Sequence, residues 1–220
     1  MKVKLSRAVW SGGALLSAAI AIFSYRYVVK IGFVPPNVVA NLFFNPWIMV
    51  HAGAASTALL LGPLQFLAVV RRRWPRFHRW IGWTYVISCL VGGASGLVLA
   101  SGVSTGIIAR LGFGALGILW LGATAKALLM ARARDFPEHR RWMIRSFALT
   151  FSAVTLRLYI PISLVLGLDF ITAYRAIAWL AWVPNALMAE WYLRRVMRAS
   201  TMLAVTPSSA PSLVHHSPQQ

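Results

Sequence analysis

The sequence predicts an all-α integral membrane bundle of six transmembrane helices, and three observations carry that prediction. Apolar residues arrive in runs of about twenty, which at ~1.5 Å rise per residue match the ~30 Å hydrocarbon layer of a bilayer. Of 220 residues, 59% are hydrophobic and only 12% charged, about half the ~25% charged share of an ordinary soluble domain. The cations, finally, gather in short turns between the apolar runs, where a membrane protein keeps them.

Six spans follow, at about 8–28, 47–70, 80–100, 107–131, 142–166 and 173–193. Each must be helical in lipid, because only a helix satisfies its own backbone polar groups there. The first follows the basic start "MKVKLSR" and resembles a secretory signal. Its apolar stretch is longer than a signal core and no small-x-small cleavage site precedes "YRYVVK", so a retained anchor is expected. The segment 29–46 holds Pro35, Pro36, Asn37 and Pro46 and reads as an interfacial lid. Residues 199–220 are Ser/Pro-rich and read as a disordered cytoplasmic tail, with His215 and His216 adjacent in it.

Loop charge sets the orientation. Three Lys and Arg lie at the N-terminus, five in 71–79, four in 132–141 and three in 194–198. Those fifteen face only Arg26 and Lys30 in the alternate loops, since "SGVST" and "GLDFIT" carry none. This predicts a multi-pass protein of the inner (cytoplasmic) membrane with both termini in the cytoplasm. The net charge of +18 is thereby assigned to membrane orientation, and no nucleic-acid partner is expected. Two of the basic turns echo each other. "RRRWPRFHRW" and "RARDFPEHRRW" each carry a proline and then a histidine, His78 and His139, at the opening of the next span.

The chain excludes several chemistries. One cysteine, Cys89, permits no internal disulfide or cysteine-rich metal site. Four carboxylates, Asp135, Glu138, Asp169 and Glu190, are too few for a Mg or Ca cage. There is no G-x-S-x-G elbow, Walker loop or HExxH. No metal site is expected, and no catalytic residue is specified.

Ionisable residues inside spans are costly, so each needs a partner or a use. Arg145 and Glu190 fall at matching depth near the cytoplasmic side and are expected to form a structural ion pair, with Lys126 near them. His51 and Arg157 fall at matching depth near the outer side. With Tyr159 they form a candidate ligand pocket beneath the 29–46 segment, suited to a quinone carbonyl or an anionic head group. Ser146, Thr150 and Arg157 share a helical face with His139, and Gln65 shares one with His51. Ser88, Gly92 and Gly96, four apart, suit close helix packing. His78 and His139 open their helices on one side and are candidate axial ligands of haem b, with neighbouring arginines for the propionates.

"HAGAASTALLLGPLQF", "RWPRFHRWIGWTYV", "GGASGLVLA", "RDFPEHRRWMIRSFALTFSAVTLRLYIP" and "AWVPNALMAEW" together resemble the bacterial predicted membrane proteins of domain-of-unknown-function family 2306, from about His51 to Arg195. The resemblance implies that His51, Gln65, His78, Arg79, Asp135, His139, Arg140, Arg141, Arg145, Arg157, Pro184, Asn185 and Glu190 are motif positions. A fainter likeness, in His51, Gln65, and His78 with Gly82, is to the haem-containing membrane cytochromes b. Those proteins bring four ligand histidines for two haems; this bundle offers three.

Three functional classes stand at this point. The first is a polytopic membrane protein with a polar intramembrane site. The second is a b-type haem protein passing electrons to or from quinone. The third is a small transporter or a membrane-embedded partner subunit.

Overall fold

The computed structural model describes residues 7–32 and 34–205. The described residues are helices and turns without strand. Five segments are long and apolar enough to cross a bilayer: Ala8–Val29, Phe44–Gln65, Pro75–Ser101, Ile107–Arg132 and Phe136–Val165. The protein is a helical membrane bundle.

The first segment contains α1 (Arg7–Ser24) and a one-turn continuation, α2 (Arg26–Val29). A single turn, α3 (Pro36–Val39), follows in the 29–46 segment, and α4 (Phe44–Gln65) is the second crossing. The expected end of that crossing, residue 70, is corrected to Gln65. Leu67 is extended (φ −70°, ψ 114°) and a separate helix, α5 (Ala68–Arg73), carries the arginines away. Apolarity in "FLAVV" reports depth in the membrane and not helix direction, which is why the sequence pattern runs through the turn.

Pro75 occupies the first position of α6 (Pro75–Ser101), where its missing N–H costs nothing. Gly106, at φ +104°, makes the reversal into α7 (Ile107–Arg132); a left-handed φ of that kind suits glycine. The next crossing starts earlier than the expected residue 142. Asp135 accepts the Glu138 backbone N–H at 3.1 Å and caps α8 (Phe136–Thr150), with Pro137 in its first turn. At Phe151 the chain passes into α9 (Ser152–Val165).

A single sixth span was expected over 173–193, and the structure has two helices there. These are α10 (Phe170–Leu180) and α11 (Val183–Val205), parted at Ala181–Trp182. Pro184 has no N–H to return to the Leu180 carbonyl. The neighbouring Ala181 carbonyl accepts Thr155 Oγ1 from α9 at 2.5 Å and Asn185 Nδ2 at 3.1 Å. The break is therefore stapled by side chains, as irregular backbone in a membrane must be. Because α11 continues to Val205, the segment expected to be disordered from 199 begins as helix. Residues 206–220, with His215 and His216, lie outside the described residues.

The principal packing is between sequential neighbours, α4 on α6, α6 on α7 and α7 on α8, with α1 laid on α4 and α9, and α10 on α7 and α9. Small residues set the spacing. A Cβ on Gly93 would stand 2.6 Å from Leu121, and one on Gly117 would stand 2.7 Å from Leu97, so α6 and α7 exchange a leucine for a glycine twice. In lipid, where no hydrophobic force drives helices together, such close packing is a main source of cohesion.

Hydroxyl groups supply another. Tyr85 Oη lies 2.9 Å from Ser146 Oγ and 3.1 Å from Thr150 Oγ1. Trp120 Nε1 donates to Thr150 Oγ1 at 2.9 Å, and Thr124 Oγ1 lies 2.7 Å from Ser146 Oγ. All five side chains are buried, and they join α6, α7 and α8 at mid-bundle.

Candidate functional site

The bundle has an arginine-rich end, formed by α5, the 133–135 turn and the C-terminal part of α11, and an opposite end formed by the 102–106 and 166–169 turns. Polar groups gather at both ends, and their bonding differs.

At the arginine-rich end, Arg145 meets Glu190 in a two-point contact, Nε to Oε1 at 2.5 Å and Nη2 to Oε2 at 3.1 Å. The Arg145 guanidinium also covers the Trp142 ring at 4.5 Å. Lys126 is exposed and joins no ion pair among the described residues. Glu138 is satisfied by Arg141. His139 Nδ1 lies 2.8 Å from the Ala127 carbonyl. A carbonyl only accepts, so Nδ1 donates, and in the neutral ring Nε2 has the lone pair. His78 is within electrostatic reach of His139 and Arg71. Its Nδ1, and Nε2 of nearby Gln65, are sealed from solvent without a hydrogen-bond partner. Gln65 packs against the bare Cα of Gly82, one helical turn above His78.

At the opposite end, His51 projects from α4 into a notch on α6. Its Nδ1 donates to the Gly92 carbonyl at 2.9 Å, which leaves Nε2 as an acceptor. A Cβ at Gly96 would stand 3.1 Å from the ring, so the glycines four apart make room for an imidazole as well as for a helix. Arg157, on α9, is within electrostatic reach of His51. It also senses Arg26, Tyr27 and Tyr174. Arg26 stacks over Phe23 at 4.2 Å and donates to the Tyr27 hydroxyl at 3.1 Å. Asn37 of α3 stands beside the Tyr174 hydroxyl.

Arg157 is the residue around which this cluster turns. Of its five N–H donors, one reaches an acceptor, the Ala153 carbonyl one turn back at 3.0 Å. Among the described residues the others have no hydrogen-bond partner, and none of them is sealed by protein. Among the described residues no carboxylate pairs with it. Glu190 is committed to Arg145, Asp135 and Glu138 are at the far end, and Asp169 is exposed and bonded to the Thr172 N–H at 2.9 Å. Thr172 N–H holds the Asp169 carboxyl below its ordinary range, with Arg175 adding to the effect. Two unit charges ~4 Å apart attract by about 4 kcal/mol at an effective dielectric of ~20. Arg157 forgoes an attraction of that order.

Of the residues singled out for the outer site, His51 and Arg157 are within electrostatic reach of each other. Tyr159 is half-buried and makes no hydrogen bond or ring contact among the described residues. Two positions on, it stands about 200° round α9 from Arg157. Tyr27 and Tyr174 are the phenols within electrostatic reach of Arg157, and Arg26 is a second cation there. Arg26 appeared in the sequence only as a loop cation, and nothing local in Tyr27 or Tyr174 ties them to Arg157.

The profile of a family described as predicted membrane proteins, DUF2306, matches residues 48–193. The chain belongs to DUF2306. Within this DUF2306 chain the match spans α4 to α11 and takes in His51, Gln65, His78, His139, Arg157, Tyr174 and Glu190, whereas Arg26 and Tyr27 precede it. No curated protein and no solved structure matches the chain.

Proposed function

We propose that this protein lies in the inner membrane with its arginine-rich end in the cytoplasm, and that its outer end binds the oxygen-bearing head group of a lipophilic molecule. Arg157 supplies the donors and His51 Nε2 the acceptor. The observation that carries the reading is Arg157 itself: a guanidinium inside a membrane bundle, with open donors and no paired carboxylate among the described residues. Intramembrane cations of that kind line ligand and ion sites. A quinone carbonyl or an anionic head group would complete the set.

The test is native mass spectrometry of protein released gently from membranes. A lipophilic adduct is expected on the parent chain and on the control Arg72→Ala, and is lost on Arg157→Gln. Equal adducts on all three would remove Arg157 from the site.

A second reading rests on the cytoplasmic end. His78 and His139 are within electrostatic reach of each other, and His139 has its Nε2 lone pair fixed by the bond to Ala127. No group of three or more His, Cys, Asp or Glu could hold a bare metal ion among the described residues. Two imidazoles alone suit an iron whose other four ligands come from a porphyrin. Arg71, within electrostatic reach of His78, and Arg79 and Arg140, next to the two histidines in sequence, would pair with its propionates. Such a group, haem b, would supply one-electron exchange with quinone. Reduced-minus-oxidised spectra of protein from haem-supplemented cells decide it. Soret and α bands lost in His78→Ala and in His139→Ala are expected on this reading, and a colourless folded protein ends it.

A further inference from the structure

We infer that an anionic phospholipid is seated in the seam between α6 and α7 at the arginine-rich end, with its phosphate between Arg79 and Arg132 and its acyl chains along the outward faces of both helices. The inference goes beyond the outer site proposed above and does not rest on it.

Two helices build the head-group end. Arg132, the last residue of α7, places its guanidinium 5.6 Å from the centroid of the Trp83 ring on α6. Arg79 precedes Trp83 by four residues and is its neighbour on one face of α6. Arg79, Trp83 and Arg132 are all exposed. Deeper in the bundle, Gly93 against Leu121 and Gly117 against Leu97 set the spacing of the same two helices. One indole is thereby flanked by a cation from each side of the seam.

Charge selects the head group. The chain has four acidic side chains, and none pairs with Arg79 or Arg132. Glu138 is taken by Arg141 and Glu190 by Arg145. Asp135 caps α8, and Asp169 caps α10 at the opposite end. A phosphate accepts the parallel N–H donors of arginine and cancels its charge. A zwitterionic head group brings an ammonium of its own, which offsets part of that attraction. Basic sites between membrane helices hold anionic head groups in this way.

Apolar faces select a lipid over a soluble phosphate. Trp83, Ile87 and Val91, four apart, form an exposed row on α6. Lys126, Leu129 and Arg132, three apart, form an exposed row on α7. Both rows lie within segments long and apolar enough to cross a bilayer, where an outward side chain meets lipid. One turn beyond Lys126, a Cβ on Gly122 would meet nothing within 4 Å, which leaves open surface for a chain. Lys126 lies about 9 Å deeper than Arg132 by helix rise. Its flexible stem lets the ammonium reach back toward the phosphate layer.

The experiment titrates the full-length protein in detergent with dioleoylphosphatidylglycerol or dioleoylphosphatidylcholine and reads the first bound lipid by native mass spectrometry. Phosphatidylglycerol is expected to bind at least about tenfold more tightly than phosphatidylcholine. Arg132→Gln and Arg79→Gln are each expected to weaken it about fivefold, and either carries the test if the other does not fold. Arg72→Gln removes the same charge from neighbouring α5 and is expected to change the affinity less than about twofold. Equal weakening by Arg72→Gln and Arg132→Gln assigns the preference to the field of the whole end and overturns the seat. Phosphatidylcholine binding as tightly as phosphatidylglycerol overturns it as well. Loss of the preference in Arg157→Gln, with Arg132→Gln unaffected, moves the lipid to the outer site and overturns this one alone. Displacement of phosphatidylglycerol by glycerol phosphate at equal concentration overturns the role of the acyl chains, since a soluble phosphate would then suffice.

Discussion

Thr150→Val is expected to lower the unfolding free energy of the protein in micelles by about 2–4 kcal/mol, although the two side chains have nearly the same shape. Thr150 Oγ1 is the acceptor for Trp120 Nε1 at 2.9 Å and lies 3.1 Å from Tyr85 Oη. Valine leaves the indole N–H without a partner in a region where Thr150 and Trp120 are only 4% and 6% exposed. Tyr85 retains Ser146 at 2.9 Å, so most of the cost falls on Trp120. Orphaning one buried donor costs about 1–3 kcal/mol, and the second lost bond about 1 kcal/mol. Thr150→Ser retains the hydroxyl and is expected to lose less. Reversible unfolding by detergent titration reads both variants. A valine variant within about 0.5 kcal/mol of the parent, the ordinary range for an inconsequential change, would mean the hydroxyl cluster contributes little.

Gly62→Ala is expected to cost about 1–3 kcal/mol by overpacking. The added methyl would lie 2.4 Å from both Cδ2 and Cε2 of Phe147 and 3.4 Å from the Tyr85 ring. Phe147 has little room to turn aside, because Phe66 and Phe151 hold it with ring centroids 5.6 Å and 6.1 Å away. Phe147→Leu in the same chain frees that space. The double variant is therefore expected to be more stable than additivity of the two single changes predicts, the signature of direct contact. Strict additivity would place the strain elsewhere.

The fold was largely legible because apolar run length is a one-dimensional property that maps directly onto bilayer thickness. The misplaced boundaries share a cause. The end of α4 at Gln65 turns on the backbone of Leu67, and the start of α8 on an Asp135 cap within a charged turn. The break at Ala181–Trp182 is held by Thr155, 26 residues away in sequence. None of these is written in hydropathy.

The candidate site divides similarly. His51 and Arg157 could be matched by counting helical rise from the chain reversals. Arg26 appeared in sequence as one of two loop cations, and nothing local in Tyr27 or Tyr174 links them to α9. Gly92 and Gly96 showed the spacing of a packing motif, and the structure adds the second use, a slot for the His51 ring. The mid-bundle cluster had only Ser146 and Thr150 to announce it; Tyr85, Trp120 and Thr124 join from two other helices.

Placing Arg157 under the outer leaflet depends on which end of the bundle faces the cytoplasm. Thiol labelling of spheroplasts with a membrane-impermeant maleimide tests this directly. Cys89 is fully buried, so the parent chain is the blank, while position 73, at the end of α5, and position 104, in the 102–106 turn, are exposed at opposite ends. Labelling is predicted for Ser104→Cys in intact spheroplasts and for Arg73→Cys only after lysis. Labelling of Arg73→Cys from outside, with Ser104→Cys protected until lysis, would contradict the orientation and move the Arg157 site to the cytoplasmic leaflet.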